Sequence, residues 1–186
     1  MKKLLLLFAI FSIQCAGGGN HSQTLDKANL KFQAGDYAAA LLVYVDLIST
    51  EGSNARVGAG WCELLLNDYE SASSYFSDAS DDSLVDGYAG WAFVLWAQNK
   101  PGEVISKIDW VLSIEPQYQF SLDERIGANQ LIWLQASSYL QIGNYAQCLL
   151  WIQKLDPAFS VNINDTANVS GLLLSKLQSL GNAVNL

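Results

Sequence analysis

Apolar positions recur at steps of three and four residues along most of this chain. Tyr37, Ala40, Tyr44 and Leu47 share one helical face. Just before them stands Gln33-Ala34-Gly35-Asp36. Gly35 suits the left-handed position that closes a helix, and Asp36 suits the cap of the next one. The pattern predicts a helical hairpin, with helix A over about 22–34, capped by Ser22 or Thr24, and helix B over about 37–49. Three more stretches repeat it: Asn67-Asp68-Tyr69 with Ala72, Phe76 and Ala79; Asn99-Lys100-Pro101 with Val104, Ile108 and Val111; and Gly143-Asn144-Tyr145 with Cys148, Ile152 and Leu155. The turns begin at 35, 67, 99 and 143, so the steps are 32, 32 and 44 residues. Further helices are expected over about 54–66, 69–79, 84–98, 101–113 and 145–155. A last one should run from a cap at Asp165 or Thr166 to about 180. Glu51-Gly52-Ser53-Asn54 reads as a turn between units, and Asp81-Asp82 and Asp123-Glu124 as helix caps. The long third step leaves two readings of residues 117–128, a loop or an early start of the helix that ends near 142.

A hairpin this small cannot bury both its faces, so copies must stack. The four units resemble the tetratricopeptide repeat (TPR), whose period is about 34 residues. The small residue of the family's helix A appears as Ala28, Gly60, Ala92 and Ala136. Its early Trp is replaced by Thr24, Arg56, Tyr88 and Ile132, and its terminal Pro survives once, as Pro116. The resemblance implies an all-α fold: a right-handed α-solenoid of about four helix hairpins over residues 22–181. The helix ending near 180 caps the far end, and 182–186 form a tail.

Residues 1–14 stand apart. Lys2 and Lys3 precede an apolar run from Leu4 to Ile13, too short to span a bilayer but long enough for a signal-peptide core. The run meets Cys15, and Ala16-Gly17-Gly18-Gly19-Asn20 follows. This resembles a bacterial lipoprotein signal, with Cys15 as the lipidated residue and 15–21 as a flexible tether. Gln14 departs from that pattern, and the alternative is an ordinary secretory signal cut near Ala16 or Gly17. A lipidated N-terminus carrying several acyl chains would anchor firmly to a membrane. Ala16 lacks the Asp that retains lipoproteins at the inner membrane in enteric bacteria. The expected place is therefore the periplasmic side of the outer membrane.

Charge narrows the partners. The chain has 10 Lys+Arg against 18 Asp+Glu; without Lys2 and Lys3 the balance is 8 against 18, near −10. Nucleic acid is not an expected partner, because its phosphates need basic patches. No metal or cofactor is expected either, for the single histidine, His21, lies in the tether. Cys62 and Cys148 lie two units apart and read as small buried hydrophobes rather than a disulfide pair.

Catalysis needs a nucleophile or an acid–base pair with partners, and no histidine is available inside the repeats, so an enzyme is not expected. In the TPR family the concave face is lined mainly from helix A. The matching positions here include Phe32, Trp61, Leu64, Phe93, Trp96, Trp133 and Leu140. Such an aromatic groove suits an apolar segment of a partner protein or peptide. Trp61, Phe93 and Trp96 are expected to be partly open to solvent. The alternative is that these aromatics are core. The A helices are nearly free of basic residues, so the family's carboxylate clamp for acidic tails is not expected. The sequence thus reads as a lipid-anchored scaffold. The alternatives are a solenoid holding a small apolar or peptide-like ligand, and a non-catalytic subunit of an envelope enzyme.

Overall fold

A computed structural model describes residues 24–184. The expected signal peptide over 1–14, the expected lipid site Cys15 and the expected tether over 15–21 lie outside the described residues. Among the described residues the architecture is all-helical: α1 (Leu25–Gln33), α2 (Tyr37–Glu51), α3 (Ser53–Leu65), α4 (Tyr69–Asp78), α5 (Val85–Ala97), α6 (Pro101–Ile114), α7 (Ala128–Gln141), α8 (Tyr145–Leu155) and α9 (Val169–Ala183). They pair consecutively as α1/α2, α3/α4, α5/α6 and α7/α8, and α9 closes the stack against α7 and α8. The A helices α1, α3, α5 and α7 touch in sequence, so they share one face of the solenoid.

All four intra-unit turns are built alike. Gly35, Asn67, Asn99 and Gly143 hold φ of 78°, 66°, 57° and 74°. In each turn two backbone N–H groups reach back to the end of helix A: Gly35 N to Phe32 O at 2.8 Å, Asp36 N to Lys31 O at 3.0 Å, and likewise in the others. These bonds satisfy carbonyls that the helix end would otherwise leave free. Asp36, Asp68 and Asn144 then cap helix B by accepting from the N–H groups of Ala39, Ser71 and Gln147. At the third turn Pro101 occupies the first helical position, where a missing N–H costs nothing.

Small residues set the approach of the paired helices. Ala28, Ala92 and Ala136 are fully buried. A Cβ at Gly60 would lie 2.7 Å from the Phe76 ring on α4, closer than packed atoms allow. Cys62 and Cys148 are buried free thiols, and burial pushes each pKa up to about 12. Both are therefore poor nucleophiles at neutral pH.

The element boundaries correct several expectations. Thr24, not Ser22, caps α1 by accepting from Lys27 N. The turn between units one and two is the single residue Gly52, because α2 and α3 run on to either side of it. Ser80–Asp82 form one turn of 3-10 helix, and no side chain caps α5. Asp123 caps no helix; it is paired with Arg125 in the loop before α7. The last helix begins at Val169, whose N–H and that of Asn168 both bond to the Asp165 carbonyl.

Residues 115–127 are a loop, not an extension of α7. It closes on itself: Phe120 N donates to Ile126 O at 2.9 Å, Ile126 N to Asp123 O at 3.0 Å, and Ala128 N to Tyr118 O at 2.7 Å. The Gln119 side chain adds bonds to the carbonyls of Glu124 and Ile126. The loop carries two aromatics, Tyr118 and Phe120, and both are buried.

Candidate functional site

The seven aromatic and leucine positions expected along the groove have different fates. Phe32 and Trp61 are closed to solvent. What closes Trp61 is the loop: the Phe120 ring stacks on it at 4.3 Å and 18°. Phe120 also meets Phe32 edge-on at 5.8 Å. Trp61 Nε1 is satisfied by the Asp86 carbonyl at 3.0 Å, and Phe76 packs edge-on against its ring at 6.0 Å. The expectation that the Trp61 ring would be partly open is therefore corrected. The covering segment comes from 59 residues further along the chain.

Trp133 and Leu140 turn toward the C-terminal cap. Trp133 Nε1 donates to the Leu177 carbonyl of α9 at 2.8 Å. Leu140 packs on a separate cluster made by Ala136, Cys148, Ile152, Val169, Leu173 and Leu177. Neither side chain lines the cleft described next.

Leu64, Phe93 and Trp96 do converge. With Leu65, Tyr69 and Ala97 they wall an apolar cleft of about 380 Å³ whose floor is Trp61. Trp96 is 36% exposed and its ring stands edge-on to Trp133 at 5.7 Å. Phe93 is half-buried, 5.8 Å from Trp61. The loop supplies the remaining wall through Asp123, Arg125 and Ile126, with Gln130 from the first turn of α7. Arg125 is neutralised there by Asp123, with Nε to Oδ1 at 2.8 Å and Nη2 to Oδ2 at 2.6 Å. The pairing holds the Asp123 carboxyl below its ordinary pKa.

On the other side of the loop lies a second cavity of about 560 Å³. Its walls are more polar: Asn29, Asn54, Asp86, Glu115, Gln119 and the Tyr44 ring, again with Trp61 and Phe120 between them. Tyr44 donates its hydroxyl to Asn29 Oδ1 at 2.5 Å. Tyr118 donates to Asp86 Oδ1 at 2.8 Å. Burial raises the Asp86 pKa, the Tyr118 hydroxyl lowers it, and the nearby Glu115 carboxylate raises it further. The lining contains two carboxylates and no lysine or arginine. The loop thus stands between an apolar cleft and an acidic cavity.

Tyr118, Phe120 and Asp86 were not singled out by sequence reasoning. The available signal was the 44-residue step, 12 longer than its neighbours, carrying an aromatic pair two residues apart. Among the described residues there is no group of three His, Cys, Asp or Glu side chains able to hold a metal ion. Nor is any helix there long and apolar enough to cross a membrane.

No protein-family model matches the chain, and no curated protein is significantly similar to it. Solved structures do match. One is YrrB, described as a TPR protein with an unusual peptide-binding site, at 16% identity and a TM-score of 0.60. The match covers 86% of this chain and 82% of that one. The fold is a TPR-type helical solenoid. A second structure, a tetratricopeptide repeat protein from Parabacteroides merdae ATCC 43184, matches at 18% identity and a TM-score of 0.53, covering 89% of this chain and 70% of that one. At these identities the likeness is one of fold. In this TPR-type solenoid the long third step is a loop laid over the face formed by the A helices.

Proposed function

We propose that this chain is a non-catalytic, lipid-anchored TPR-type adaptor of a bacterial envelope, which holds an apolar segment of a partner protein. The observation that carries the reading is the cleft of Leu64, Phe93 and half-open Trp96. Large, partly exposed aromatics around a concave apolar site are the usual anchors of a peptide interface. YrrB, with the same fold, is described as having a peptide-binding site, which supports the same class of partner here. The anchor rests on the apolar run Leu4–Ile13 and the Cys15 that follows it after Gln14, and the outer membrane on Ala16.

Two experiments test this. A tagged parent protein should retain a partner from solubilised envelope that Trp96→Ala loses and Trp110→Ala keeps. Trp110 stacks on Tyr88 instead, at 4.2 Å. Retention by both variants would remove the cleft from the interface. Separately, Cys15→Ala should end incorporation of labelled palmitate and release the protein from membranes. Equal labelling of parent and variant would show that Cys15 is not the lipid site.

A second reading has its own support. The acidic cavity is large enough for a small molecule. Native mass spectrometry of the purified protein would show a bound mass if the chain is a ligand-binding solenoid.

A further inference from the structure

We propose that residues 117–126 form a displaceable internal occupant of the concave groove. A partner segment bearing an aromatic side chain, with lysine or arginine beside it, takes the place of Phe120. The inference rests on the reading above, that this groove docks a peptide, and adds how the groove is kept closed and what opens it.

Four observations carry it. The segment satisfies its backbone within itself, through Phe120 N to Ile126 O, Ile126 N to Asp123 O and the Gln119 side chain. Opening it frees one helical N–H, that of Ala128 in the first turn of α7, whose acceptor is Tyr118 O at 2.7 Å. Its fully buried grip on the wall is Phe120 between Trp61 and Phe32 and Tyr118 with its hydroxyl on Asp86, while Leu122 and Ile126 pack half-buried against the same core. The solenoid does not need it as a bridge, because α7 packs directly on α5 and α6. Finally, it lies across the face the A helices form together and stands between two cavities that both reach Trp61.

The occupant also reports what the groove accepts. The site at Trp61 takes an aromatic ring in stacked geometry, where an aromatic pair gains beyond its buried area. The compartment beside it presents Asp86 and Glu115 with no balancing cation in its lining. A competing segment gains from a basic residue there, a contact the loop's own Tyr118-Gln119-Phe120 cannot make.

Hydrogen exchange on the full chain tests the opening. The amide of Ala128, whose acceptor Tyr118 O leaves with the segment, should exchange through a local event, at least about tenfold faster than amides in the middle of α3 and α5. Tyr118→Phe keeps the ring and removes one side-chain hydrogen bond. It should speed the Ala128 amide about fivefold and leave α3 and α5 unchanged. An Ala128 amide that exchanges in step with α3 and α5 in both proteins would overturn the proposal, since the loop would then be ordinary core.

Competition is tested with a labelled synthetic peptide of the loop sequence 117–126 carrying two added lysines. It should bind Phe120→Ala at least about tenfold tighter than it binds the parent. The same peptide with Ala at its own Phe position should bind neither. Equal affinity for parent and variant, or none for either, would overturn displacement. If displacement fails while Trp96→Ala still loses the envelope partner, docking stands and the internal occupant falls. If loop opening and peptide binding hold while Trp96→Ala keeps the partner, the apolar cleft falls instead.

Discussion

Asn67 and Asn99 stand in the same left-handed position that Gly35 and Gly143 hold at the other two turns. This gives a sharp expectation. A Cβ at Gly35 would meet nothing within 4 Å, so only backbone strain opposes a side chain there. Gly35→Val should cost about 1 kcal/mol or more, while Gly35→Asn should cost only a few tenths. Urea unfolding of the two variants checks it; equal losses would show that strain is not what glycine relieves. These turns were legible in the sequence because each depends on two adjacent residues with local duties.

The tryptophans were less legible. Trp61 and Trp96 sit on neighbouring A helices and both looked like groove residues. Trp61→Ala should cost roughly 3–5 kcal/mol, the range of a fully buried aromatic. Trp96→Ala should cost about 1 kcal/mol or less, since its ring is partly in water. Nothing near position 61 in sequence announces the difference, because the ring that covers Trp61 is Phe120. Asp86 adds a pH signature. Burial raises its folded pKa above the unfolded value, so the folded state binds the proton more readily. Its charge therefore costs stability above the folded pKa, and that cost is relieved as pH falls through it. Asp86→Asn, which still offers an oxygen to Tyr118, should be relatively more stable than the parent at pH 7 than at pH 4. Thermal melts at the two pH values measure the difference.

At the scale of elements, helices were easy to see and their joints were not. Three of the B helices begin where Asp36, Asp68 and Asn144 predicted, since a cap followed by a three–four apolar pattern defines the start twice over. The joint at Gly52 is shorter than its polar neighbours suggested, because Glu51 and Ser53 were both drawn into helix. The loop before α7 was the element that sequence left open, and its packing is wholly tertiary: Tyr118 reaches Asp86 and Phe120 reaches Trp61. Its contribution is measurable. Phe120→Ala empties a buried aromatic site, and the loss should approach 3 kcal/mol. It should fall short of that for Trp61→Ala, since a loop can collapse into space that a helix cannot. Urea unfolding of both variants ranks them, and a larger loss for Phe120→Ala would contradict that order.

Across the whole molecule, the solenoid is a chain of neighbours rather than one centre. The larger core runs from Ala28 on α1 to Leu134 on α7. A smaller one joins α7, α8 and α9 through Ala136, Cys148, Ile152, Val169, Leu173 and Leu177. In such an array each unit leans mainly on the next, so damage at one end should stay near that end. Leu173 is fully buried on the capping helix. Leu173→Ala should cost roughly 2–5 kcal/mol, and the loss should be unevenly felt. Amides of α8 and α9 should lose protection first, with α7 next, because Trp133 is tied to α9 through the Leu177 carbonyl. Helices α2, α3 and α4 make no substantial contact with α8 or α9, and their amides should keep the parent's exchange rates. Residue-resolved hydrogen exchange on parent and variant reads this directly. A uniform drop in protection from α1 to α9 would mean that the two cores melt as one, and that the solenoid behaves as a single cooperative body.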